Sequence, residues 1–211
     1  MPIRSGTRIA FLHSRSATSQ PRLMTSPNIF EFNIKDEIDR LFDDSSKSST
    51  EPIAVILMGG IATGKTTLRQ QKYHRGYVPI DAGNIFLNLS RGEFLPFPGP
   101  LEDAMEIIGR AATTRALSEG YHIVTEIIGA DEQPTEQLTN SLGNIGYKLE
   151  VMVLTCSPDE AAKRNANRNI EESISAYYSE PFHRTWIIEA AAELASERVG
   201  KGLNEDQSNK A

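Results

Sequence analysis

The chain carries a single cysteine, Cys156, so no disulfide can form within it and its fold must rest on packing, as expected in a reducing compartment. No apolar run approaches the roughly 20 residues of a membrane-spanning helix, which points to a soluble protein in the cytoplasm. Positive charge is scarce. There are 22 Lys and Arg against 28 Asp and Glu, a net −6, and this speaks against nonspecific nucleic-acid binding, which draws on cations neutralising phosphates. His74, His122 and His183 lie far apart with no ligand spacing, so no zinc site is expected. Internal repeats are lacking too. With 211 residues, 39% of them hydrophobic, the chain has the material for one core and one domain.

The charge is unevenly spread. Residues 1–30 hold Arg4, Arg8, Arg15 and Arg22, many Ser and Thr and no acid; setting those four aside leaves −10 for the rest. Three accounts of this segment stay open: a disordered extension, an organellar or secretion-type leader, or a start placed ahead of a true one at Met24. Folded patterning begins after it. Ile34, Ile38, Leu41 and Phe42 recur at helical spacing, and a polar linker, "DDSSKSSTEP", leads into a buried strand over 53–58. A helix is expected from Lys65 to about Tyr73, a strand "GYVPI" ending at Asp81, and a helix over 101–118 with Leu101, Met105, Ile108, Ala112 and Leu117 inward. Then come a strand over 121–125 closed by Glu126, a helix with Pro134 in its first turn, and a strand over 149–155. "SPDE" reads as a capping box with Ser157 as N-cap, opening a helix that carries Arg164 and Arg168 on one face. A last helix is expected over 184–199 and a disordered tail over 201–211. Alternating strands and helices predict an α/β fold, a P-loop NTPase-like parallel sheet sandwiched by helices, as one domain over 34–200.

Within it, "GGIATGKT" satisfies G-x-x-x-x-G-K-[ST] between a strand and a helix. Gly59, Gly60, Ile61, Ala62, Thr63, Gly64, Lys65, Thr66 and Thr67 form the expected nucleotide cradle: backbone N–H groups converge on phosphates, Lys65 reaches the β- and γ-phosphates, and the Thr66 hydroxyl binds Mg²⁺. The chain has no N-K-x-D and no D-x-x-G after a strand, which disfavours a GTPase switch, and it is small for a motor. A phosphoryl transferase needs a base, an acid and cations around that loop. Asp81 ends a strand on the same side of the sheet; it reads either as the base or as a helix N-cap. Glu126, among apolar neighbours, needs a metal, a substrate hydroxyl or a cation to satisfy it. Arg164, Arg168 and Arg184 are candidates for the moving charge or parts of a solvated face. Cys156 and Trp186 read as packing. "RGEFLPFPGP" reads either as an acceptor-site lip carrying Phe94 and Phe97 or as a surface loop.

Taken in order, "ILMGGIATGKTTLR", "VPIDAGNIF", "LSEGYHIVTE" and "GYKLEVMVLTCSPDEA" resemble the zeta toxin family, the P-loop kinase toxins of epsilon/zeta toxin-antitoxin systems, over roughly residues 34–190. "YYSEP" resembles the segment before that family's second arginine. The resemblance implies ATP or GTP with Mg²⁺, phosphorylation of a small-molecule substrate, the nucleotide sugar UDP-N-acetylglucosamine, and an antitoxin as partner. It implies Asp81 as catalytic base, Lys65 and Thr66 as nucleotide and metal residues, Glu126 as substrate-binding acid, and Arg168 and Arg184 as phosphate-neutralising arginines, with Arg164 competing for the first of these places. Gly83 stands where the family has a second acid, and "EIIGAD" replaces its E-G-T with a following Arg. The alternatives are a non-catalytic nucleotide-binding module and a kinase for an antibiotic or a nucleic-acid end.

Overall fold

Ile53–Met58 is apolar on both faces, and a strand of that kind belongs in the middle of a parallel sheet covered on both sides. The computed structural model describes residues 32–48, 50–91, 93, 95–168 and 178–208. Its strands are β1 (Ile53–Met58), β2 (Val78–Pro79), β3 (Ile123–Ile127) and β4 (Lys148–Val153), in the order β2-β3-β1-β4 with every pair parallel. The helices are α1 (Ile34–Arg40), α2 (Lys65–Lys72), α3 (Ala82–Ser90), α4 (Glu102–Ser118), α5 (Glu132–Asn144), α6 (Pro158–Ala166) and α7 (Glu180–Ser208).

Val55, Leu57 and Val124 pack on one face of the sheet beneath Leu68 of α2. α7 packs against both α4 and α5. The α4 residues read as inward from their spacing, Met105, Ile108, Ala112 and Leu117, are buried, and so is Leu101 in the 3₁₀ turn before the helix. Trp186 is fully buried on α7, its indole N–H donating to Glu106 of α4 at 2.9 Å. Leu41 and Phe42 after α1 are buried, and Arg115 of α4 lies over the Phe42 ring. No helix among the described residues is long and apolar enough to cross a membrane.

Several boundaries differ from the sequence reading. β3 runs two residues further than expected, so Glu126 lies inside the strand and Leu57 is its register partner on β1. Ser157 does cap α6, accepting the Glu160 N–H at 3.2 Å, but the Glu160 carboxylate pairs with Arg164 instead of returning to Ser157, so the box is half formed. α6 ends at Ala166, which leaves Arg168 beyond the helix and not on a shared face with Arg164. α7 begins at Glu180 and continues to Ser208, beyond the expected stop at Val199. Phe97, half-buried, packs edge-on against Phe86 and Phe182, centroids 4.9 and 5.8 Å apart. Phe94 and residues 1–30 lie outside the described residues.

Candidate functional site

The site begins where β1 ends. A Cβ on Gly59 would overlap the Leu154 carbonyl, and Gly64, the N-cap of α2, has φ 98°, a conformation that glycine adopts without a Cβ penalty. Ala62, between them, holds φ 62°. These turns wrap the loop so that Ile61, Ala62, Thr63, Gly64, Lys65, Thr66 and Thr67 line a cavity of about 340 Å³, while Gly59 and Gly60 lie beneath it and turn their carbonyls to the Lys65 ammonium at 2.6 and 2.9 Å. Burial holds Lys65 below the usual lysine range; Glu126 opposes that shift and Arg168 adds to it.

Register sets the next layer. Residues paired across parallel strands share a face, so Glu126, opposite Leu57, points to the α2 side of the sheet. There its Oε2 accepts the Thr66 hydroxyl at 2.9 Å and its Oε1 accepts Arg69 Nε at 2.7 Å. The other edge of the Arg69 guanidinium reaches Asp81 Oδ2 at 3.6 Å. A buried arginine thus stands between two buried carboxylates, Glu126 inside β3 and Asp81 two residues past the end of β2, which stops at Pro79 and not at Asp81 as the sequence suggested. Burial, and the Asp81 charge beside it, raise Glu126 above the ordinary glutamate range against the pull of Arg69 and Thr66. Burial disfavours the charge on Arg69, but Asp81 and Glu126 outweigh it and hold the guanidinium above its usual value.

The N-cap reading of Asp81 holds. It caps α3, its Oδ1 accepting the Asn84 N–H at 3.2 Å, and it lines the cavity. A Cβ at Gly83 would sit 3.2 Å from that Oδ1 and 3.3 Å from Ser179 Oγ, so a larger acidic side chain would have to displace one of them.

The start of α7 contributes to the cavity wall. Glu180, its first residue, accepts the Ile128 N–H at 2.7 Å through Oε2 and Arg184 at 2.6 Å through Oε1. His183, buried, accepts the Ala82 N–H at Nδ1 (3.3 Å) and so carries its proton on Nε2, which donates to the Glu126 carbonyl at 2.7 Å. One imidazole therefore clamps the backbone beside both carboxylates.

The three arginines named from the sequence separate. Arg168 lines the cavity and also an adjoining hollow beside α2. Arg164 is on the rim of that hollow, donating to the Ala62 carbonyl at 3.4 Å and paired with Glu160. Arg184 reaches the cavity only through Glu180. Sequence reasoning gave no role to Arg69, Ser179, Glu180 or His183. For Arg69 a signal existed, since it follows Lys65 by four positions on the same helix; for the others the contacts depend on how α7 docks.

Hard oxygen donors suit Mg²⁺, and Thr66 fits: its hydroxyl donates its hydrogen to Glu126, which leaves the oxygen lone pairs available. Among the described residues no three His, Cys, Asp or Glu side chains gather into a metal cage, and Mg²⁺ bound with phosphates ordinarily needs only one or two protein ligands.

No family model and no curated protein match the chain. Among solved structures it is similar to one described as the PezAT chromosomal toxin-antitoxin system of the human pathogen Streptococcus pneumoniae, at 22% identity and TM-score 0.46, over 63% of this chain and 59% of that one. It is also similar to one described as the Pnkp1/Rnl/Hen1 RNA repair complex, at 15% identity and TM-score 0.44, over 69% of this chain and 47% of that one. The chain therefore spans 59% and 47% of the lengths of these two neighbours.

Proposed function

We propose that this chain is a P-loop kinase that transfers the γ-phosphoryl group of ATP or GTP to a hydroxyl of a small molecule. One observation carries the reading: Asp81, at the start of α3, and Glu126, in β3, meet through Arg69 in the cavity that the phosphate loop lines. Asp81 takes the proton from the acceptor hydroxyl as its oxygen bonds to the γ-phosphorus and the bond to the β-phosphate oxygen breaks. Lys65 leaves its two loop carbonyls to contact the β- and γ-phosphates, and Arg168 meets the charge spread over the transferring group. Mg²⁺, when bound, offsets charge on the phosphate oxygens. Thr66 would hold it, and Glu126 orients Thr66. Both Glu126 oxygens are already engaged by α2, so a substrate hydroxyl at Glu126 would share them. Arg184 acts through Glu180, and Arg164 steadies the loop at Ala62.

The zeta toxin resemblance places UDP-N-acetylglucosamine first among acceptors to assay, and an epsilon-type antitoxin first among partners. The test is metal-dependent nucleotide turnover with product analysis: Asp81→Asn is expected to lower kcat by about 10²–10⁴ with the nucleotide KM little changed. Undiminished turnover in that variant rejects the assignment. Tight ATP binding with no turnover under any acceptor would instead favour a non-catalytic module.

A further inference from the structure

A serine just ahead of a helix ordinarily turns its hydroxyl to the N–H groups of the first turn as a cap. Ser179, which precedes α7, does not: Pro181 has no N–H, and the Phe182 N–H donates to the Ser179 carbonyl at 3.2 Å. The residue is only 5% exposed and lines the cavity, yet among the described residues its hydroxyl has no hydrogen-bond partner. Its position is nonetheless fixed. The Glu180 carboxylate accepts the Ile128 N–H, and His183 joins the Ala82 N–H to the Glu126 carbonyl, so the turn that carries Ser179 is tied to the backbone beside both site carboxylates.

Gly83 shows where that hydroxyl faces. It lies in the first turn of α3, in backbone that alanine adopts more readily than glycine, so the chain conformation there does not call for a glycine. A Cβ at this position would meet Asp81 Oδ1 at 3.2 Å and Ser179 Oγ at 3.3 Å. The bare glycine therefore leaves a notch with the Asp81 carboxylate on one side and the Ser179 hydroxyl on the other, and all three residues line the cavity. Burying a hydroxyl without a hydrogen bond costs free energy, and a bound molecule that completes the bond recovers it. Building on the kinase reading above, we infer that Ser179 is an acceptor-binding residue: its hydroxyl hydrogen-bonds an oxygen or nitrogen of the acceptor next to the hydroxyl whose proton Asp81 takes, and Gly83 keeps the notch between them clear. The acceptor class this selects is a compound with two neighbouring polar groups, as on a sugar ring.

The experiment uses the full chain with ATP and Mg²⁺, wild type beside Asp81→Asn. The acceptors offered are UDP-N-acetylglucosamine, N-acetylglucosamine and a filtered small-molecule cell extract, with products read by mass spectrometry. Kinetics then follow the best acceptor whose product depends on Asp81. Ser179→Ala is expected to lower kcat/KM for that acceptor about tenfold or more, a margin of about 1.4 kcal/mol, while the ATP KM and the Tm hold, because the hydroxyl it removes makes no bond to the described residues. Gly83→Ala, which fills the notch, is expected to raise the acceptor KM with the ATP KM held. A Ser179→Ala protein that keeps wild-type kcat/KM, loses ATP affinity in step with the acceptor, or unfolds at a lower temperature overturns the inference and leaves the kinase reading standing. An unchanged acceptor KM in Gly83→Ala does the same. If no acceptor yields an Asp81-dependent product, the kinase reading falls and the inference falls with it.

Discussion

Arg69 is the side chain on which the site carboxylates meet, and its removal leaves two buried acids without their cation. Breaking one partner of a buried ion pair costs about 3–5 kcal/mol, so Arg69→Met is expected to lose that much in urea unfolding, with Arg69→Lys between it and wild type. His183 is held differently, by two backbone groups and no charge. His183→Leu is expected to lower kcat by roughly tenfold or more, since misplacement of about 1 Å can cost 10²-fold, while the ATP KM holds. His183→Gln, which can both accept and donate, is expected to recover part of it; equal loss in both variants, or a rise in KM alone, removes His183 from a positioning role. Lys65 gives a pH signature. Because burial lowers its pKa, ATP affinity should fall with rising pH on a limb that begins below the ordinary lysine value of about 10.4. Calorimetry from neutral to alkaline pH checks this, and Lys65→Arg should abolish the limb, because a guanidinium stays charged there.

At the scale of elements, α4 and α7 are locked where Gly109 faces Trp186: a Cβ on that glycine would run into the indole ring. Gly109→Ala is therefore expected to overpack the interface by about 1–3 kcal/mol, seen as a fall in Tm of roughly 2–4 °C per kcal/mol for a domain of this size. The same scale shows what the sequence makes readable. β1, the phosphate loop and the buried face of α4 follow from local pattern: an apolar run, two glycines at positions where a Cβ would clash or strain the backbone, and a 3.6-residue period. The helix placement of Arg168 and the full capping box did not hold. Both depend on which partner Glu160 takes and where α6 stops, and neither is visible in spacing alone.

For the molecule as a whole, alternating strands and helices were enough to indicate a parallel sheet, but not the order β2-β3-β1-β4 that sets β3 beside β1. That order brings Glu126 level with Leu57 and onto Thr66 and Arg69. The candidate acids were therefore legible one by one, and their meeting on Arg69 was not, since it is a product of register and crossover. A ligand that binds only the folded cavity stabilises the whole domain: ATP with Mg²⁺ at about a hundred times its Kd should add about 2.7 kcal/mol to unfolding, read as a rise in Tm that Lys65→Ala reduces. The start of α7 carries a further consequence. Glu180 walls the cavity, and six residues along the same helix lies Trp186, the single tryptophan of the chain. Any shift of that wall is passed down a continuous rod to one indole, so the protein contains its own optical probe, and its intrinsic fluorescence reports on this helix without a label.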